Sequence, residues 1–205
     1  MSFQTVILII MSSVLVNNYV LNQYLGICPF LGVSKKTGQA VGMGLAVIFV
    51  MVLATAVTWP IQILILNKFN LAYLQTIVFI LVIAALVQLV EIFLKKAIPA
   101  LHSSLGVYLP LITTNCAVLA VCKYSLTTEM LLIDGKPNFI YALIYAFASG
   151  LGFLLAMVLF AGVRERIAAS KPPKAFEGTP ITLISAAIVS LAFAGFGGIA
   201  ENLFK

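Results

Sequence analysis

The chain has 205 residues, of which 62% are hydrophobic and only 9% are charged, and its formal net charge is +6. An ordinary soluble domain carries about 25% charged residues, so this composition excludes a water-soluble globule of this size. It also excludes intrinsic disorder, because too much apolar surface would stay unburied. The sequence therefore predicts an integral membrane protein in the lipid bilayer, whose basic residues act as topology signals and not as a nucleic-acid interface.

Six apolar windows in the chain reach or approach the length of about 20 residues that a helix needs to cross a membrane. Helix-breaking residues separate them, among them Pro29, Pro99 and the Asn67–Asn70 segment. The predicted fold is therefore an all-α integral membrane protein with six transmembrane helices in a single domain, residues 1–205. The windows are Thr5–Tyr24, Gly42–Leu66, Leu71–Phe93, Leu101–Val121, Phe139–Val163 and Pro180–Ile199.

The distribution of Lys and Arg predicts the orientation of these helices. Eight of the twelve basic residues lie in the first, third and fifth connections between windows. The positive-inside rule places those odd-numbered connections in the cytoplasm and both termini outside. The first five residues carry no basic group of the kind that opens a cleaved signal peptide, so the first window is expected to stay in the protein as a helix.

A short repeat surrounds two of the three cysteines. Superimposing Cys28 on Cys116 aligns Ile-Cys-Pro-Phe-Leu-Gly-Val (27–33) with Asn-Cys-Ala-Val-Leu-Ala-Val (115–121). The predicted orientation brings the two segments into the membrane from opposite sides. The pattern therefore indicates an inverted repeat, in which equivalent residues converge near the middle of the bilayer.

The halves of this repeat are predicted to be three-helix units, residues 1–98 and 99–205. The Leu25–Val33 segment contains glycine and proline and is too short for a further crossing, so it predicts a half-helix. Thr113-Thr114-Asn115 places three polar residues inside the fourth window, where they are expected to face protein, a cavity or a ligand. Broken helices are therefore predicted around both Cys28 and Cys116.

The residues alone leave three interpretations of Cys28 and Cys116 open: packing of small buried thiols, a disulfide, and metal or cluster ligation. An iron–sulfur cluster needs four protein ligands, so ligation would require a second subunit with two more thiolates. Cys122 has no counterpart in the repeat and is interpreted as a packing residue.

Several segments of the chain resemble one family of membrane proteins. They are Asn17-Asn18-Tyr-Val-Leu, Leu25–Lys35, Leu109–Leu119 with its Thr-Thr-Asn-Cys run, and Arg164-Glu-Arg-Ile167. Together they resemble the RnfA/NqrE family of membrane subunits over nearly the whole chain. These subunits belong to the Rnf ferredoxin:NAD oxidoreductase and, as the alternative, to the sodium-pumping NADH:quinone oxidoreductase.

The resemblance implies an electron-transfer subunit of an ion-translocating oxidoreductase in the bacterial cytoplasmic (inner) membrane, with no complete active site on this chain alone. It implies that Cys28 and Cys116 are iron ligands of a [2Fe–2S] cluster shared with an antiparallel paralogue, RnfE. Further implied partners are RnfB, RnfC, RnfD and RnfG, and the implied transport is export of Na⁺ or H⁺. The expected hydrogen-bond donors around the cluster sulfurs are Gly26, Thr113, Thr114 and Asn115.

Other polar residues are further functional candidates. The inverted repeat alone would also suit a small secondary transporter or channel. Asn17, Asn18 and Gln88 are candidate residues of an ion path. Polar residues at such depths more often join helices to one another. Glu91 and Lys95 have the spacing of an i,i+4 ion pair. The Arg164–Arg166 segment is interpreted as an anchor at the cytoplasmic face, and the alternative is that it docks another protein of the complex.

Overall fold

The structure is a computed structural model that describes residues 3–34, 36–68, 72–97, 111–112, 114–128, 132–133, 136–170, 173 and 176–196. Seven α-helices and one small antiparallel hairpin form most of this part of the chain. In chain order they are α1 (Phe3–Met11), α2 (Ile27–Val33), α3 (Thr37–Ile61), α4 (Gln75–Ala97), α5 (Cys116–Thr127), β1 (Leu132–Ile133), β2 (Lys136–Pro137), α6 (Phe139–Ala169) and α7 (Thr179–Ala194). Short π-helical turns extend α1 over Ser12–Val16 and α3 over Gln62–Leu66, and a 3₁₀ turn, Ala72–Leu74, precedes α4.

Three helices in the described residues are long and apolar enough to cross a membrane. They are Thr37–Leu66 with 30 residues, Gln75–Ile92 with 18 and Phe139–Ala169 with 31. A helix rises about 1.5 Å per residue, so the two longest exceed the hydrocarbon thickness of about 30 Å. They coincide with the second, third and fifth predicted windows and confirm an all-α membrane fold.

Shorter apolar helices in the described residues overlap the other three windows: Val6–Val16, Cys116–Thr127 and Thr179–Ala194. The helix in the fourth window ends six residues later than predicted, and residues 101–110 of that window lie outside the described residues. The prediction that the first helix continues to Tyr24 is wrong, because the helix ends at Val16 and a turn follows. The predicted break in the fourth window is confirmed at Asn115. Asn115 has an extended backbone and caps a helix that begins at the next residue.

Asn18 accounts for the end of the first helix. Its side chain is fully buried, and its Nδ2 donates to the carbonyl oxygens of Val14 at 3.2 Å and Gly152 at 2.8 Å. Its Oδ1 accepts hydrogen bonds from the backbone N–H groups of Val20 and Leu21 at 3.1 and 3.2 Å. A side chain that bonds nearby backbone groups in this way competes with helix continuation. The same amide joins the turn to α6, as expected for a helix-packing residue.

Helices α3 and α6 form the most extensive helix–helix contact among the described elements. Gly44 of α3 lies against Leu154 of α6, and Gly150 of α6 lies against Ile48 of α3. The order of these contacts shows that the helices run antiparallel. Gly44 and Ile48 have the same spacing as Gly150 and Leu154, so the contact has local two-fold symmetry. Small residues allow such close approach of helices in a membrane, where packing is the main attraction between them.

Candidate functional site

The two cysteines that the repeat aligns lie at the beginnings of two helices. Cys28 is the second residue of α2, and Cys116 is the first residue of α5. Gly26 is the N-cap residue of α2, and its backbone N–H donates to Cys116 Sγ with 2.9 Å between nitrogen and sulfur. This contact joins the first turns of α2 and α5, and the side chains of both cysteines are exposed. The segments that carry Cys28 and Cys116 are therefore in contact at Gly26.

Gly26 cannot be replaced by a larger residue without rearrangement. Its φ is +81°, in the left-handed region that favours glycine. A Cβ atom at this position would lie 2.9 Å from Phe153 Cε2 and 3.0 Å from Asn115 Oδ1. Backbone conformation and lack of space thus both require glycine where the chain approaches Cys116.

The side chain of Asn115 offers one hydrogen-bond acceptor that is used and one donor that is not. Its Oδ1 accepts the N–H of Ala117 at 3.0 Å and so caps the N-terminus of α5. Its Nδ2 is buried and has no hydrogen-bond partner among the described residues. The amide therefore has an unused donor one residue before Cys116. Of the other predicted donors, Thr114 is exposed and Thr113 lies outside the described residues.

The space beside Cys116 is open. A pocket of about 230 Å³ lies against this residue, bounded by Leu25 before α2 and by Phe79 in α4. Cys122 differs, because its side chain is fully buried and its Sγ lies 3.8 Å from Thr55 Oγ1. This environment agrees with the interpretation of Cys122 as a packing residue. All three cysteines are free thiols.

The ligand chemistry of the site fits one half of a four-ligand iron–sulfur cluster. Within the described part of the chain, no three His, Cys, Asp or Glu side chains come together. The site therefore offers two exposed thiols, together with the Gly26 N–H and the free Asn115 Nδ2 as donors. Cys116 begins a 12-residue helix, and the positive end of the helix dipole interacts favourably with an anionic thiolate ligand. Two further ligands would have to come from another chain.

One contributor to this site was missed by sequence reasoning. Phe153 is fully buried in α6 and forms the wall against Gly26. An aromatic residue inside a long apolar window carries no local signal, so only the folded arrangement shows its position.

The predicted Glu91–Lys95 pair stays a prediction, because the side chain of Lys95 lies outside the described residues.

Sequence comparisons give the family and three relatives. The chain matches the family described as "Rnf-Nqr subunit, membrane protein" over residues 6–200. It is 55% identical to a component of the Na(+)-translocating ferredoxin:NAD(+) oxidoreductase complex of Acetobacterium woodii, over 95% of this chain and 98% of that protein. It is 53% identical to a component of the ion-translocating oxidoreductase complex of Syntrophotalea carbinolica, over 96% of this chain and 98% of that protein. A component of the ion-translocating oxidoreductase complex of Azoarcus sp. is 50% identical, over 96% of this chain and 98% of that protein.

Proposed function

Because the chain belongs to the Rnf-Nqr family of membrane subunits, we propose that it supplies Cys28 and Cys116 as two ligands of an intramembrane [2Fe–2S] cluster. The chain is a subunit of an ion-translocating oxidoreductase complex. The observation that carries the proposal is the hydrogen bond from Gly26 N–H to Cys116 Sγ. It brings the first turns of α2 and α5 together while both thiols stay exposed.

The two remaining ligands would come from a paralogous protein, RnfE in the Rnf complex, arranged antiparallel to this chain. The symmetric contact of Gly44 and Ile48 with Leu154 and Gly150 supports the inverted repeat of residues 1–98 and 99–205 on which that arrangement rests. RnfB, RnfC, RnfD and RnfG are the proposed further subunits, and the bacterial inner membrane is the proposed location.

When bound, a [2Fe–2S] cluster accepts and releases electrons at a potential that its surroundings set. This chain would hold the cluster through Cys28 and Cys116. The N–H of Gly26 stabilises negative charge on the sulfur of Cys116, and the buried Asn115 Nδ2, which has no partner among the described residues, would be a second donor. Phe153 fills the space that a side chain at position 26 would need, so it keeps the backbone of Gly26 close to Cys116. The electron transfer is proposed to drive export of Na⁺ or H⁺.

The test compares the wild-type complex with Cys28→Ser, Cys116→Ser and, as a matched control, Cys122→Ser. Iron, acid-labile sulfide and the EPR spectrum of the reduced complex are measured after assembly of all subunits has been verified. We expect the first two variants each to lose the same signal and about two irons per complex, whereas Cys122→Ser keeps both. An unchanged iron and sulfide content in Cys28→Ser and Cys116→Ser would contradict the proposal and favour a transporter or channel.

A further inference from the structure

One face of α6 lies along the short helix α2 from its first turn to its last. The ring of Phe153 lies beside Gly26, the N-cap residue at the N-terminal end of α2. Phe160 stacks on Phe30 near the middle, with ring centroids 4.2 Å apart and 17° between the ring planes. Arg164 reaches the C-terminal end. The three α6 residues follow one another at intervals of seven and four positions, which places them on the same face of the helix.

Arg164 binds the C-terminal end of α2 through one nitrogen atom. Its Nη1 donates to the carbonyl oxygen of Leu31 at 2.6 Å and to Ser34 Oγ at 2.8 Å. Leu31 lies in the last turn of α2, where carbonyl groups have no partner within the helix, and Ser34 is the C-cap residue. A cation at this end also interacts favourably with the partial negative charge of a helix C-terminus. Arg164 thus satisfies groups that α2 cannot satisfy itself.

Glu165, the next residue, binds a different helix. Its Oε1 accepts hydrogen bonds from the N–H of Thr37 at 2.8 Å and from Thr37 Oγ1 at 2.7 Å. Thr37 is the first residue of α3, and the N-cap residue Lys36 provides no side-chain cap. Two consecutive residues of α6 therefore hold the two sides of the α2–α3 turn: Arg164 holds the end of α2, and Glu165 holds the start of α3.

We infer that Arg164 is a positioning residue that fixes α2 and thereby sets the placement of Cys28. A helix of seven residues is too short to be stable alone, so its position depends on its contacts with the rest of the chain, at both ends as well as at Phe30. The N-terminal end is held near Cys116 by the Gly26 hydrogen bond, and the C-terminal end is held by Arg164. Without Arg164, the last turn of α2 loses two hydrogen bonds and the thiol at its other end gains freedom. The inference rests on the proposed function, because placement of Cys28 affects electron transfer only if that thiol is a ligand.

The first measurement reports the position of α2 without requiring the cluster. The rate at which N-ethylmaleimide modifies Cys28 is followed by mass spectrometry of the intact complex in membranes, in a Cys116→Ser, Cys122→Ser background. We expect Arg164→Gln to raise this rate several-fold and Arg164→Lys to restore it in part, since lysine also places a cationic donor there. Glu165→Gln is the matched control and should leave the rate unchanged, because Glu165 does not contact α2.

The second measurement uses the otherwise wild-type complex and the EPR signal that depends on Cys28. Arg164→Gln should shift its midpoint potential or change its shape, Arg164→Lys should restore it in part, and Glu165→Gln should match wild type. Equal behaviour of Arg164→Gln and Glu165→Gln in both measurements would overturn the inference. If no iron signal depends on Cys28, the proposed function fails, and the labelling rate still decides whether Arg164 positions the thiol.

A milder variant keeps the inference testable if Arg164→Gln prevents assembly of the complex. Ser34→Ala keeps Arg164 and its bond to Leu31 but deletes one of the two acceptors. If the complex with Arg164→Gln does not assemble, Ser34→Ala should raise the labelling rate in the same direction by a smaller factor. An unchanged rate in Ser34→Ala would then overturn the inference.

Discussion

The backbone N–H of Gly26 donates a hydrogen bond to Sγ of Cys116, across 90 positions of sequence. The donor precedes α2, which carries Cys28, and the acceptor begins α5. One main-chain group therefore both connects the two broken helices and places a dipole on a sulfur atom. Because the donor is a backbone N–H group, its position depends on the left-handed conformation of Gly26. A side chain cannot take the place of this donor.

Replacing Gly26 with alanine is expected to weaken this connection. The left-handed conformation costs an alanine about 1 kcal/mol, and the added Cβ would press against Phe153 and Asn115. We expect a lower thermal midpoint of the purified complex and a lower midpoint potential of the EPR signal, because the reduced state loses a hydrogen bond to sulfur. Gly38→Ala is the control, since a Cβ there meets nothing within 4 Å. Identical behaviour of the two variants would refute this role of Gly26.

Two substitutions at Asn115 separate its cap from its free donor. Serine retains an oxygen that can cap α5 but lacks the Nδ2 donor, whereas leucine lacks both. We expect Asn115→Ser to keep wild-type stability and lower the midpoint potential of the EPR signal. Asn115→Leu should lower the potential similarly and also cost about 1 kcal/mol of stability for the lost cap. A potential in Asn115→Ser equal to that of wild type would show that Nδ2 does not act on the sulfurs.

Composition and spacing were sufficient to predict the membrane class, the three long helices, and the broken helices around Cys28 and Cys116. These features depend on local signals: apolar length, helix-breaking residues, and a repeated pattern around each cysteine. The end of the first helix was missed because Asn18 binds Gly152, 134 positions away. The contacts of Phe153 and Arg164 with the α2 region were missed for the same reason. Distant partners leave no pattern in the segment that they stabilise.

Asn18 is predicted to be essential for stability, while its neighbour is not. Asn18→Leu removes the donor to Val14 and Gly152 and the acceptor of two backbone N–H groups, all at a fully buried position. Each buried polar group left without a partner costs about 1–3 kcal/mol. We expect sharply reduced yield of the assembled complex and a lower thermal midpoint in detergent. Asn17→Leu is the control, because Asn17 is exposed and makes one side-chain bond, to Ser12. Comparable losses in both variants would contradict this assignment.

The contact between Glu165 and Thr37 predicts a pH dependence at the α2–α3 turn. Hydrogen bonds from the side chain and backbone of Thr37 hold the pKa of the Glu165 carboxyl below its usual value. A depressed folded-state pKa stabilises the fold above the unfolded value of about 4.3, and this stabilisation is lost as the pH falls through the lower folded value. We therefore expect Glu165→Gln to lower the thermal midpoint at neutral pH and to approach wild type in acid. A difference between the two proteins that does not change with pH would exclude ionisation of Glu165 as its cause.

The two-fold contact of α3 with α6 predicts matched effects of two distant substitutions. A Cβ on Gly150 would lie 2.8 Å from Ile48 Cγ1 and 3.0 Å from Ile48 Cα, so the helices must separate to admit alanine. Overpacking of this kind costs about 1–3 kcal/mol, and Gly44→Ala meets the equivalent obstacle at Leu154.

We expect Gly44→Ala and Gly150→Ala to lower the thermal midpoint by similar amounts. The double variant should lose less than the sum, because one separation of the helices relieves both contacts. Gly162→Ala is the control in the same helix, since a Cβ there meets nothing within 4 Å and alanine favours the helix by about 1 kcal/mol. Strictly additive losses would show that the two glycines act at independent contacts, and the symmetry of the pair would then have no energetic consequence.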